Sequence, residues 1–260
     1  MPTRDHAPVG SPCWVDLWTS DVEGSQKFYG ELLGWEASEP NPEFGGYFMF
    51  TRDGVDIAGG MGDMGPDMPA DNSWKIYLAT DDVAATVEQT LAQGGQVLVP
   101  PMPVADLGIQ VVLADPTGAR VGAWEPKSFP GFTVVLEHGA PSWSELFTRQ
   151  YDTSVDFYRS VFHWETTVVG DEDGFHYTAM GDPMGGENLA GIMDASAFLP
   201  DGVPDHWSIY WEVDDMEASL AIVTSLGGTV IDGPADTPYG RMATIAEPTG
   251  TQCKLRMDIG

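Results

Sequence analysis

The apolar positions of residues 13–35, CWVDLWTSDVEGSQKFYGELLGW, change period part of the way along. From Cys13 to Leu17 the run is apolar with Asp16 set into it, the mark of a strand. Asp21 is placed as an N-cap. Val22, Phe28, Tyr29, Leu32 and Leu33 then supply one helical face, and Gly34 is placed to end the helix. Residues 45–61, GGYFMFTRDGVDIAGGM, predict two short strands around Arg52-Asp53-Gly54. A Gly/Pro/Asp loop follows over 62–72. The pattern then resumes with a strand over 73–80, a cap at Asp81 or Asp82, a helix over 83–92, a stop at Gly94-Gly95, a strand over 96–100 and a last strand pair around DPTG at 115–118.

Residues 142–164, SWSELFTRQYDTSVDFYRSVFHW, restate the first segment. Trp14 recurs as Trp143, Leu17 as Leu146, Thr19 as Thr148, Ser25 as Ser154, Phe28-Tyr29 as Phe157-Tyr158 and Trp35 as Trp164. Residues 77–101 likewise recur as 210–234, and DPTGAR (115–120) as EPTGTQ (247–252). Order and spacing both hold, so the chain is an internal duplication. Each half reads as βαβββ written twice, which predicts an α+β protein with a tail at 1–11, a domain at 12–126, a linker at 127–139 and a second domain at 140–258. Each βαβββ unit has one apolar sheet face, so a pair of units should curve around a cup. Alternate strand residues then line that cup as a small-molecule site.

The pattern W-x-[DE]-L-x-T, the S-x-x-F-Y helix, G-W, the D-D cap, G-G and [DE]-P-T-G resembles the vicinal oxygen chelate superfamily, which includes glyoxalase I, bleomycin-resistance proteins and extradiol dioxygenases. It is similar in particular to the tandem glyoxalase-like actinobacterial type, over about residues 12–126 and 140–257. The resemblance implies a metal held by a His on the first strand, a His before the second helix and a Glu on the last strand. Those positions fall on Trp14, Lys75 and Gly122 in the first half, and on Trp143, Ser208 and Lys254 in the second. An ammonium or an indole is no ligand for a divalent metal at neutral pH. The expectation is that no metal is held there and no cofactor is required.

Asp16 and Glu145 each place a carboxylate in an apolar strand, two residues from aromatics on either side: Trp14 and Trp18, then Trp143 and Phe147. Period two puts all three on one face. A buried carboxylate must be paired, hydrogen-bonded or hydrated, and Lys75, Arg120, Lys254 and Arg256 are the candidate partners. Structural ion pair and ligand-contacting acid or base both remain open. His206, on the face of Ser208, Tyr210 and Glu212, is a candidate acid or base. Under an alternative, His176, His206, Glu145 and Glu212 form a relocated metal set for lyase or dioxygenase chemistry. Tyr47, Met49, Tyr77, Tyr177 and Tyr210 are expected to line cups or cores. His6, His138 and His163 fall in a tail, a turn and a helix end, and carry no site. The Gly-rich stretch 181–191 has no phosphate-binding pattern and reads as hairpin and loop.

Forty acidic against 11 basic residues, a formal net charge of −29, disfavour nucleic acid and anionic lipid as partners. Two cysteines, Cys13 and Cys253, are too few for a disulfide framework. The start carries no apolar segment of signal-peptide type, and a cytoplasmic monomer or homodimer is expected. The function expected is the binding of a small organic molecule between acidic and aromatic walls, for resistance, sequestration or specialised metabolism. A non-catalytic interaction protein is the remaining alternative.

Overall fold

In a computed structural model of the chain, residues 4–66, 69–172, 174–182 and 189–260 are described. The first repeat runs β1 (Pro12–Trp18), α1 (Val22–Leu33), β2 (Glu36–Ala37), β3 (Phe48–Arg52), β4 (Val55–Met61), β5 (Ser73–Ala79), α2 (Val83–Ala92), β6 (Gln96–Val104), β7 (Gly108–Ala114) and β8 (Arg120–Pro126). The second runs β9 (Pro141–Thr148), α3 (Tyr151–Phe162), β10 (Thr166–Glu172), β11 (Phe175–Met180), β12 (Ala190–Asp194), β13 (His206–Glu212), α4 (Met216–Ser225), β14 (Thr229–Thr237), β15 (Gly240–Ala246) and β16 (Gln252–Met257). The doubled βαβββ order is that of the sequence pattern. Part of the Gly-rich stretch, 183–188, lies outside the described residues. Among the described residues no helix is long and apolar enough to cross a membrane.

Helix ends follow local chemistry. Asp21 accepts from the Gly24 N–H at 3.0 Å, and Gly34 closes α1 at φ 72°. Of the two candidates for the second cap it is Asp82 that serves, accepting from Ala84 and Ala85. In the DPTG turn one Asp115 oxygen accepts from the Thr117 N–H, the Thr117 hydroxyl and the Ala119 N–H. β6 runs four residues beyond the expected strand, through Pro100, Pro101 and Pro103, with register shifts in its ladder to β7. An edge strand tolerates the missing donors.

Each repeat forms one eight-stranded sheet, ordered β2-β3-β4-β1-β5-β8-β7-β6 and then β10-β11-β12-β9-β13-β16-β15-β14. The two modules of a repeat meet where β1 runs antiparallel to β5, and β9 to β13. Period two then sorts the side chains. Val15, Leu17, Ile76 and Leu78 face the helices, while Trp14, Asp16, Lys75 and Tyr77 face the cup.

One hydrophobic cluster runs through both repeats. The Trp211 ring lies edge-on to Trp35 and Trp74, with centroids 4.8 and 5.2 Å away. The repeated G-W motif explains itself here. Trp35 Nε1 donates to the Gly139 carbonyl at 2.7 Å, and its counterpart Trp164 donates to the Gly10 carbonyl at 2.9 Å. Each repeat thus holds the chain that enters the other. Residues 127–139 are no loose linker. Phe132 and Val135 are buried with Trp14, Tyr77 and Trp124, and the Phe132 N–H donates to the Cys13 carbonyl.

Candidate functional site: two cup floors with one design

In the first cup, β1 aims Asp16 at the floor. Trp14 Nε1 shares its proton between Asp16 Oδ1 (3.0 Å) and the Tyr47 hydroxyl (2.9 Å), and that hydroxyl donates to Asp16 Oδ1 at 2.6 Å. Tyr77, buried on the same face, completes the surround. Tyr47 reaches the carboxylate because β4 offers Gly59 there: a Cβ on Gly59 would stand 1.7 Å from the Tyr47 hydroxyl oxygen. In the second cup Tyr210 donates to Glu145 Oε2 at 2.5 Å, and Trp143 Nε1 donates to the Tyr177 hydroxyl at 2.7 Å. Gly191 repeats the role of Gly59 beneath Tyr177. Each floor thus sets a buried carboxyl beside two tyrosines and a tryptophan, but the donating phenol differs: Tyr47 from the strand pair beside β1 in the first cup, and Tyr210 from β13 in the second.

Burial raises the pKa of both carboxyls above the ordinary range, because desolvation outweighs these hydrogen bonds and the nearby Lys75 or Lys254 charge. Each cup carries one of those lysines, from different strands. Lys75 on β5 lies 5.6 Å from the Trp18 ring, and Lys254 on β16 lies 5.0 Å from Phe147, the counterpart of Trp18. Register explains the exchange: Asp16 faces Lys75 and Tyr77 faces Gly122, whereas Glu145 faces Ser208 and Tyr210 faces Lys254. Burial lowers the pKa of both ammonium groups.

Several expected neighbours are separated. Arg120 lies 3.6 Å from Asp71 and does not pair with Asp16. Arg256 pairs with Glu212 at 2.7 Å and does not pair with Glu145. His176 is on the opposite sheet face from Glu145. Its neighbour Tyr177 faces the cup, so alternation turns the imidazole outward, where Nδ1 lies 3.1 Å from Asp194 and the ring sits beside Tyr151. His206 does stand at the second cup, stacked on Phe147 with centroids 5.6 Å apart. Met49, half-buried, packs against the buried cluster that contains Trp14 and Tyr77. Asp71, Phe129 and Thr244 were missed, since none sits in a repeated motif. Gly59 and Gly191 carried a signal, because a strand glycine marks close approach.

The positions that the resemblance assigns to metal ligands hold an indole, a lysine and a small residue in each cup, and these donors do not fit a divalent cation. Among the described residues no three His, Cys, Asp or Glu side chains gather to hold one.

The model of the glyoxalase/bleomycin resistance protein/dioxygenase superfamily matches residues 12–122 and 139–255. The chain is 37% identical over 255 residues to CFP32 of Mycobacterium tuberculosis, whose name proposes a glyoxylase, covering 96% of this chain and 95% of that one. It is 34% identical over 260 residues to the anthracycline biosynthesis protein DnrV of Streptomyces peucetius, covering 93% and 90%. Among solved structures, the Mn(II)-bound glyoxalase from Novosphingobium aromaticivorans superposes with a TM-score of 0.66 at 17% identity, over 97% of this chain and 83% of that one. The 2,3-dioxygenase LapB from Pseudomonas sp. KL28 gives 0.63 at 16% identity, over 97% and 93%. With both repeats matched and the doubled βαβββ sheets in place, the chain belongs to the glyoxalase/bleomycin resistance protein/dioxygenase superfamily.

Proposed function

We propose that the chain binds a small organic molecule in a cup, without a metal at the superfamily's usual position, as a sequestration or resistance protein or as an enzyme of specialised metabolism. The observation that carries this reading is a buried carboxyl in each cup that accepts from a tyrosine hydroxyl, with a tryptophan in the same network and a lysine over an aromatic ring of the same face. Burial raises the pKa of both carboxyls, the direction that suits a general acid, and Asp16 or Glu145 takes that role if the protein is an enzyme. The name of DnrV supports specialised metabolism.

The test has two parts. Protein purified without chelator and dialysed against trace Zn²⁺, Ni²⁺, Mn²⁺ and Fe²⁺ is expected to retain none stoichiometrically. Planar aromatic acids, amides and amines are then screened by calorimetry, and Asp16→Asn and Glu145→Gln are expected to shift affinity or turnover for any that bind. Stoichiometric metal, or both variants behaving as wild type, overturns the reading.

A further inference from the structure

The two cups share a floor but differ at the mouth. In the first, Phe129 lies edge-on to Trp14 with centroids 4.8 Å apart, and Trp14 is only 6% exposed. Phe129 is pinned at both ends of its peptide: its carbonyl accepts from Trp124 Nε1 at 3.0 Å, and its N–H donates to the Leu107 carbonyl at 3.2 Å. The lysine of this cup is already neutralised. Lys75 Nζ donates to Asp71 and, at 2.6 Å, to Ser73 Oγ.

In the second cup Trp143 is half-buried, and among the described residues no aromatic ring packs on it as Phe129 packs on Trp14. Phe198, packed on Phe147 at 6.2 Å, is 55% exposed, and Phe175, stacked on Tyr177, is 38% exposed. Lys254 makes no ion pair among the described residues, and Nζ donates only to Thr244 Oγ1 at 3.1 Å. An ammonium has three protons to place, and leaving it unpaired in a half-closed site is costly. Glu145, by contrast, already accepts a hydrogen bond from the Tyr210 hydroxyl at 2.5 Å. The group left to meet a ligand is therefore the cation, and the surfaces beside it are aromatic.

We propose that the second cup is the working site, that it takes a planar aromatic molecule bearing an ionised oxygen, a carboxylate or phenolate, against Lys254, and that the first cup is its closed structural copy. This rests on the small-molecule reading given above. The ring of such a ligand lies against the half-buried Trp143 and His206, over the buried Phe147 and Tyr210, and its oxygen replaces the ion pair that Lys254 lacks.

The probes are 2-naphthoate and its neutral isostere 2-naphthamide, titrated by calorimetry into the full chain. Wild type is expected to bind one naphthoate per chain and to prefer it about ten- to a hundredfold over the amide, the usual worth of a charge-assisted hydrogen bond. Lys254→Met is expected to abolish the preference and Lys254→Arg to restore most of it. Hydrogen exchange is expected to show naphthoate protecting residues 141–148 and 252–257. Protection over 12–18 and 73–79, two equivalent sites per chain, or equal binding of acid and amide by wild type overturns this proposal while the small-molecule reading stands. Binding of neither probe counts against both.

Discussion

A proton on a buried carboxyl is the residue-scale consequence of the floor. Glu145 holds its proton to higher pH folded than unfolded, because burial raises the pKa and the tyrosines and Lys254 only partly offset it. Stability from this group is therefore full below the ordinary carboxylate pKa of about 4 and falls as pH rises toward the folded value. Glu145→Gln keeps the shape and removes the titration. Urea unfolding between pH 4 and pH 7 is expected to show the variant gaining on wild type as pH rises. Parallel profiles would mean that Glu145 is ionised and fully compensated in the folded protein. The residues that compose this floor were legible only in part. Asp16 and Glu145 stood out because a charge in an apolar strand has few bland explanations. The alternative metal set needs His176 on the face of Glu145, while its neighbour Tyr177 reads equally as cup or core; period two lets only one of them face the cup, and it is Tyr177 that does.

At the scale of elements, local signals carried far and tertiary ones did not. Asp21, Asp82 and Gly34 act within one turn of their own positions, so helix ends could be read directly. The covering of Trp14 by Phe129 depends on where chain outside the repeats comes to rest, and the capture of Lys75 by Asp71 on how the loop ahead of β5 turns back, and no periodicity encodes either. Strand β4 lies between these cases, since Gly59 and Tyr47 are each visible in sequence but their close approach is not. Gly59→Ala would drive a methyl into the Tyr47 hydroxyl. It is expected to destabilise the protein by about 1 to 3 kcal/mol, as overpacking does. Pairing it with Tyr47→Phe, which removes the clashing oxygen, should recover part of the loss in denaturant melts. Full additivity of the two changes would show that they do not meet.

For the whole molecule, the duplication would suggest two independently stable domains, but the packing argues otherwise. Trp35, Trp74 and Trp211 form one aromatic junction across the repeats, and Trp35 and Trp164 each hold a carbonyl at the doorway of the other half. A core that is continuous across a boundary unfolds as a unit. Calorimetry is expected to show a single transition whose van't Hoff and calorimetric enthalpies agree. Trp211→Ala should lower that stability by about 3 to 5 kcal/mol, the usual cost of emptying a large aromatic site. Two resolved transitions would show that the junction is weaker than its geometry. The closed first cup follows from the same economy, because the segment joining the repeats passes over one of them. That segment is both tether and stopper. Its length is thus not free to drift: residues added ahead of Phe129 would slacken the tether and unseat the stopper together, turning a protein with one receptacle into one with two.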